Sequence, residues 1–471
     1  MRYASPLTIG RRHHDAATIM VPAAAAIGVA LVTVVPADMA FAAAVAAAGV
    51  VAVYRWPVVS LSALLIVGVG PLVLSSTGRV TADPIMIYGK VSPAHAILFA
   101  MLLCVLVKGA LALSGSRTRA PAVPAALVVA YIAFFAWIAV SVTRNLGAYG
   151  INAPGQFRYS YLILIVPAYA LLFLDSAEQR RRFFWVILLF SVVVPVALVP
   201  LIAAFKGWGV GPASRFFPAP VSLGLLYGQV ALLLATERGL TRFPKWLARG
   251  LAFPVAALIV ADSHRSVWLA ALVLVCSYLL VGWLSSGVIA RVAWLASALV
   301  AACAALAVIM HIDILGYLAA RGNALVDPQS DGTSAWRLEV WSANLAAWRH
   351  HPLAGDGFGG YYAGNAGLDV ATTIQPHNYY VQTLVTMGAV GMALLLVTVA
   401  AAASTLWSGL RRRSTGGHPL DAQLSELGLC VLISALAFSV AYAPSYYPAI
   451  WVGLGLAAAS AVRRSSPART A

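Results

Sequence analysis

Runs of about twenty apolar residues dominate this chain, and that is the length an α-helix needs to cross the ~30 Å hydrocarbon core of a bilayer. Fourteen such runs stand near residues 17–35, 39–54, 57–75, 92–113, 121–142, 159–175, 183–204, 219–236, 250–263, 266–286, 291–310, 378–403, 424–442 and 448–462. The bilayer core offers no water to backbone N–H and C=O groups, so runs of this kind are expected to be helices. Composition agrees: 61% of the 471 residues are hydrophobic and 10% are charged, against ~25% charged in a soluble domain. A soluble multidomain enzyme and a disordered chain are both excluded. The expected fold is all-α, a polytopic transmembrane helix bundle of about 12–14 helices with one large extracytoplasmic helical loop.

The net charge of +16 would suggest nucleic-acid binding on a soluble chain. Here it reads first as topology, because cytoplasmic loops collect Lys and Arg. With the N-terminus inside and the runs alternating, most of the 31 basic residues fall inside, including Arg55, Arg180 to Arg182, Arg291 and Arg411 to Arg413. The outside set is Arg79, Lys90, Arg144, Arg158, Lys206, Arg215, Arg265, Arg321, Arg337 and Arg349. The domain reading is a cytoplasmic tail at 1–16, about eleven spans within 17–310, an extracytoplasmic loop at 311–376, three spans within 377–462, and a cytoplasmic tail at 463–471. The N-terminal apolar run reads as a membrane helix rather than a cleaved signal. Cys104, Cys276, Cys303 and Cys430 each sit inside an apolar run without metal spacing, and read as small buried hydrophobes.

The loop at 311–376 is long enough to imply a task. Within it Thr333-Ser334 precede AWRLEVWSANLAAWRHH and then Pro352, a capped helix of about four turns stopped by a proline. Trp336, Val340, Trp341, Leu345 and Trp348 share one side, which suits a membrane–water interface. Gly355 to Gly360 follow as a tight Gly-rich turn. It is neither a phosphate loop nor a dinucleotide fingerprint, since no Lys-Ser/Thr follows and no strand precedes.

Ionisable groups near membrane depth are costly, and therefore functional candidates. On the outer side they are Arg215 in GPASRFFPAP, Arg265 in DSHRSVWLA, Arg337 in the loop helix, and His377 in QPHNYYVQTLVTMGAVG. The short run at 250–263 ends in Asp262-Ser263-His264-Arg265, so it stops shallow or lines a polar cavity. Pro376 predicts a helix start at His377, and the spacing to Val381, Leu384, Gly388 and Gly391 places these residues on one packed face. A neutral imidazole there can accept a proton; an interfacial histidine bonded to the loop is the plainer alternative. Three outer arginines with few acids nearby suit a diphosphate, whereas headgroup snorkelling or pairing with Asp262, Asp356 or Glu339 would be structural.

Residues 334–391 resemble the O-antigen ligase and O-antigen polymerase superfamily of bacterial membrane glycosyltransferases. The resemblance rests on Arg337, Trp341, Pro352-Leu353, Gly355, Gly357, Gly359, His377-Asn378, and Gly388 to Gly391. Upstream, Ser263-His264-Arg265-Ser266 is similar to the family's Ser-Arg with a histidine inserted, and Arg215 is a weaker match. The resemblance implies a metal-independent, inverting glycosyl transfer that uses no cofactor. The donor would be a glycan on a polyprenyl diphosphate such as undecaprenyl diphosphate. The acceptor would be a hydroxyl on lipid A-core, another glycan or a protein. By the same likeness His377 is the general base. Arg265 and Arg337 bind the diphosphate with help from Arg215, and Asn378, His264 and Tyr379 support them. Other expected partners are membrane lipids, with no nucleic acid, and the expected location is the bacterial inner membrane with the site facing outward. A polymerase of the same superfamily shares these motifs. A transporter of lipid-linked glycans is the competing class, though it should show inverted repeats and broken helices near the midplane.

Overall fold

The computed structural model describes residues 47–75, 93–113, 124–150, 164–206, 217–235, 245–262, 264–281, 332–359, 376–411, 419–442 and 448–461. Among the described residues no strand occurs, and the chain is an all-α membrane protein. The helices are α1 (Pro57–Ser75), α2 (Pro93–Leu113), α3 (Ala125–Thr143), α4 (Ile165–Phe173), α5 (Ala177–Leu188), α6 (Val194–Lys206), α7 (Ala219–Ala235), α8 (Lys245–Ala261), α9 (Arg265–Val281), α10 (Gly332–Trp348), α11 (Tyr379–Arg411), α12 (Pro419–Phe438) and α13 (Pro448–Ala461).

Five described helical stretches are long and apolar enough to cross a membrane: Pro93–Leu111, Ala125–Ala148, Ala177–Ala204, Tyr379–Arg411 and Leu420–Phe438. The expected runs at 39–54 and 57–75 meet at a sharp bend, with Ala47–Arg55 and Pro57–Val67 inclined by 114°. The expected runs at 17–35 and 291–310 lie outside the described residues. Several expected spans form shorter apolar helices, among them α7 and the segment Trp246–Ala261. The loop 311–376 is described only at 332–359 and at its end; there α10 forms, but it begins at Gly332, so Thr333 and Ser334 lie in its first turn in place of the cap expected of them.

Local chemistry explains these elements. Ser176 and Gln179 form a reciprocal capping box that starts α5. One π-helical turn at Leu189–Val193 links α5 to α6. The bundle interior is filled by Leu61, Leu64, Tyr169, Phe183 and Phe184, all fully buried. At Gly453 and Gly455 of α13, small residues let backbones approach: a Cβ on Gly455 would stand 2.7 Å from the Pro167 Cα of α4. Large side chains such as Phe99, Leu106, Val129 and Ile132 remain exposed on the spanning helices, the expected arrangement against lipid. Cys104 and Cys430 are buried, but Cys276 is exposed, which corrects its reading as a buried hydrophobe; Cys303 lies outside the described residues.

Polar contacts distinguish the two ends of the bundle. At one end buried Arg180 pairs with Asp421 at 3.0 Å. At the other end Arg144 bonds the carbonyl of Gly355, and Arg265 donates to Ser334 Oγ at 3.3 Å. Two of the arginines that the charge pattern assigns to the outer face, Arg144 and Arg265, thus both bond the stretch 332–359.

The element that positions the site is α11. It is interrupted at Gly388, whose φ of 67° and ψ of −171° are not helical. The break separates a short first arm (379–387) from a second arm (389–411) that alone is about 34 Å long, enough to span the bilayer. A helix break leaves N–H and C=O groups without partners, and the segment Pro352 to Gly359 supplies them. Ala389 N–H donates to Pro352 O at 2.8 Å, Val390 N–H to Leu353 O at 3.2 Å, and Asp356 N–H to Val385 O at 2.7 Å. The contact is close enough that a Cβ on Gly355 would stand 2.6 Å from Gly388 N. Gly388 is thus the corner of a break, in place of the helix-packing position that its spacing suggests. Gly391 does pack against a neighbour, the Trp137 ring of α3.

Candidate functional site

The site is assembled where α10, the first arm of α11 and the end of α12 converge. The tryptophan stripe of α10 does not serve only the interface expected of it: Trp341, Leu345 and Trp348 pack against Val381 and Val385 of the first arm. Two indoles also tie the chain on either side. Trp341 Nε1 donates to Pro376 O at 2.7 Å, and Trp348 Nε1 donates to Pro352 O at 2.9 Å. Helix α10 thereby grips both the Gly-rich segment and the residue before His377.

His377 has a left-handed backbone, φ 48°, the only positive φ at a non-glycine position among the described residues. Such a conformation costs energy and persists where surrounding contacts impose it. It corrects the expected helix start. The helix begins at Tyr379, and Asn378 caps it, its Oδ1 accepting from Tyr380 N at 2.9 Å and Val381 N at 3.1 Å. His377 therefore lies before the helix, outside the face that its spacing to Gly388 implied. Its ring is flanked by Trp336, centroids 6.0 Å apart, and by Tyr442, 5.9 Å away and edge-on. Burial, and then the charge of Arg337, push the imidazole below its ordinary value, so the neutral, proton-accepting form is favoured.

Arg337 follows Trp336 on α10. Its guanidinium carbon stands 5.5 Å from the Tyr442 ring centroid, a cation–π distance. Its Nε is buried without a hydrogen-bond partner among the described residues. Arg265, the first residue of α9, reaches Ser334, one turn before Arg337 on α10. The structure thus brings Arg337 and His377 to one tyrosine ring, and Arg265 to the turn of α10 that precedes Arg337. Arg215 lies outside the described residues.

The residues grouped with these as support have structural partners of their own. His264 is buried, its Nε2 is 2.9 Å from Phe217 O and 3.5 Å from Asp262 Oδ2. Asp262, with no exposed surface, accepts from Phe217 N–H at 2.8 Å and from the Ser222 hydroxyl. This buried knot ends α8 and aims the start of α9, which carries Arg265. Of the two outcomes left open for the 250–263 run, its end meets protein polar groups. Tyr379 is buried among Phe134, Ile138, Phe358 and Met387, and its N–H donates to Ser439 O at 2.9 Å.

Sequence reasoning did not single out Tyr442. Its signal was the aromatic segment AYAPSYYP that closes the penultimate apolar run. Stacking on Phe438 at 4.8 Å fixes its ring. No group of three or more His, Cys, Asp or Glu among the described residues is placed to hold a metal ion. Chemically, the cluster offers one neutral base beside cationic donors, in a partly buried aromatic setting.

Comparison with known families gives one match: a family model described as O-Antigen ligase fits residues 250–396. That stretch contains Arg265, Arg337, the Gly-rich segment, His377 and Gly388. No curated protein matches the sequence.

Proposed function

We propose that this chain, which belongs to the O-antigen ligase superfamily through residues 250–396, moves a glycan from a polyprenyl diphosphate carrier to a hydroxyl acceptor at the outer face of the cytoplasmic membrane. One observation carries the reading: His377 and Arg337 both contact the Tyr442 ring, the guanidinium over it at 5.5 Å and the imidazole edge-on at 5.9 Å. A base and a phosphate-binding fork lie side by side, as a displacement at a glycosyl diphosphate requires.

His377 accepts the proton of the acceptor hydroxyl while that oxygen attacks the anomeric carbon. The bond from that carbon to the diphosphate oxygen breaks, and the lipid diphosphate leaves with the electron pair. Attack opposite the leaving group inverts the anomeric configuration. Arg337 and Arg265, with Arg215, neutralise the charge that develops on the departing oxygen. The buried Arg337 Nε supports this role, since a donor in that state gains most from an incoming anion. Lipid A-core and a second glycan are both suitable acceptors, and the acceptor decides between a ligase and a polymerase. His377 and Arg337 lie together beside Tyr442, past the end of α12, which favours surface chemistry over transport.

The test uses purified protein, a polyprenyl-diphosphate glycan and an acceptor. His377→Ala should lower the transfer rate by about 10²- to 10⁴-fold, the usual worth of a general base, while the protein stays folded. Wild-type transfer by that variant sinks the assignment.

A further inference from the structure

The site is divided between two bodies. Trp336, Arg337 and His377 belong to a unit made of α10, the Gly-rich segment and the first arm of α11, held together by the Trp341, Leu345 and Trp348 contacts. Tyr442 belongs to the bundle, at the end of α12. Near His377 the unit is fastened to the bundle by Tyr379 N to Ser439 O, Tyr380 Oη to Leu436 O and Arg265 to Ser334 Oγ, and at the far side of the break by the residues that end α3. There one amide serves two carbonyls: Asn145 Nδ2 donates to Asp356 O at 2.6 Å and to Phe358 O at 3.0 Å. Asn145 is buried. It approaches so closely that a Cβ on Gly357 would stand 2.5 Å from Nδ2, which the glycine at φ 76° avoids. Arg144 bonds the Gly355 carbonyl, and Trp137 Nε1 donates to Met387 O at 2.9 Å, so the same helix holds both the segment and the break that it fills.

We propose that Asn145 is a positioning residue for glycan transfer: by holding the Gly-rich segment in the break of α11, it fixes the unit that carries Arg337 and His377 in register with Tyr442. The proposal rests on the reading of His377 as the base, and Asn145 itself touches no reacting atom. It lies outside the 250–396 family match, in the turn after α3, more than a hundred residues earlier in the chain.

The groups that face His377 are Trp336 and Arg337 from α10 and Tyr442 from the end of α12. A loosened unit carries Arg337 along with His377 but withdraws both from Tyr442, so His377 loses the burial that is the larger cause of its lowered pKa. The experiment follows carbethoxylation of His377 by diethyl pyrocarbonate across pH, read by mass spectrometry on the full-length protein in detergent, beside kcat and KM for transfer. In Asn145→Ala the reactivity midpoint should rise toward that of an ordinary histidine. Its kcat should fall about tenfold to a hundredfold, the scale of a roughly 1 Å displacement, with KM little changed. Trp137→Phe, which removes a single bond to the same break, should shift both in the same direction by less and guards against a misfolded Asn145 variant. A folded Asn145→Ala protein with an unchanged midpoint overturns the proposal, as does a kcat that falls only with the folded fraction. Normal transfer by His377→Ala would instead remove the base reading, while the midpoint still decides whether Asn145 sets the surroundings of His377.

Discussion

The Arg337 guanidinium lies over the Tyr442 ring at 5.5 Å, and the same ring meets His377 edge-on at 5.9 Å. One aromatic side chain therefore contacts both a permanent cation and a titratable base, and the charge of Arg337 reaches the imidazole.

Replacing Arg337 by Gln tests that electrostatic coupling. The arginine is one of the two causes that hold the His377 pKa below 6.5, so its removal raises that pKa. The acid limb of the kcat/KM profile should move to higher pH, because more acid is then bound at any given pH. The rate at the plateau should also fall about 10²- to 10³-fold, the loss typical of one charge-stabilising donor. An acid limb that stays in place in Arg337→Gln would show that the charge does not reach His377.

The same shift has a consequence for stability. A depressed histidine pKa means that the unfolded chain binds the proton more readily than the folded one. The stability contributed by neutral His377 is full above the unfolded value near 6.5 and is lost as pH falls through the lower folded value. Thermal unfolding of wild type and His377→Gln, compared between pH 8 and pH 5, should show a smaller acid loss in the variant.

Gly388→Ala should cost about 3 kcal/mol or more. A side chain at φ 67° costs about 1–2 kcal/mol, and its Cβ would run into the Leu353 carbonyl, a backbone group that cannot swing aside. Chemical denaturation or detergent-based thermal melting provides the measurement. A variant as stable as wild type would show that the break does not need a glycine.

Trp341→Phe keeps the packing on Val381 but removes the bond to Pro376 O. The expected stability loss is about 1 kcal/mol. The rate should fall by more than that loss explains, because Pro376 fixes the turn that presents His377. Equal KM with reduced kcat is the anticipated pattern, and an unchanged kcat would count against it.

Asp262→Asn separates the buried knot from the reacting groups. One carboxylate oxygen accepts from Phe217 N–H and the other from Ser222; an amide can keep the first bond and donate to the Ser222 hydroxyl, but it gives up the charge-assisted character of both. A loss of about 1–3 kcal/mol in stability follows. Folded protein at low temperature should retain most transfer activity, whereas a variant that folds well yet is inactive would mark this pair as part of the chemistry.

The sequence by itself determined the class of the molecule and the identity of most of the candidate side chains. Apolar runs near twenty residues permit helices in a bilayer and little else, and the cost of a charge at membrane depth makes Arg265, Arg337 and His377 conspicuous one residue at a time. Local spacing also sufficed for the existence of α10, because its apolar stripe and its terminating Pro352 lie within one stretch of chain, though the helix begins at Gly332 and takes in the expected cap. Tertiary structure decided what no local period contains. It turned the Gly-x-x-Gly pattern of α11 into a break at Gly388, filled by the Gly-rich segment, since the orphaned backbone groups there find partners some thirty residues earlier in the chain. It moved His377 off the helix face into a left-handed turn, brought Tyr442 against it, and set Asn145 against the Gly-rich segment, from stretches of chain that sequence patterns left unconnected with it. Periodicity reports which face of an element is apolar; the neighbour that face meets is fixed by backbone bonds and close packing between distant segments, and there the geometry around His377 is set.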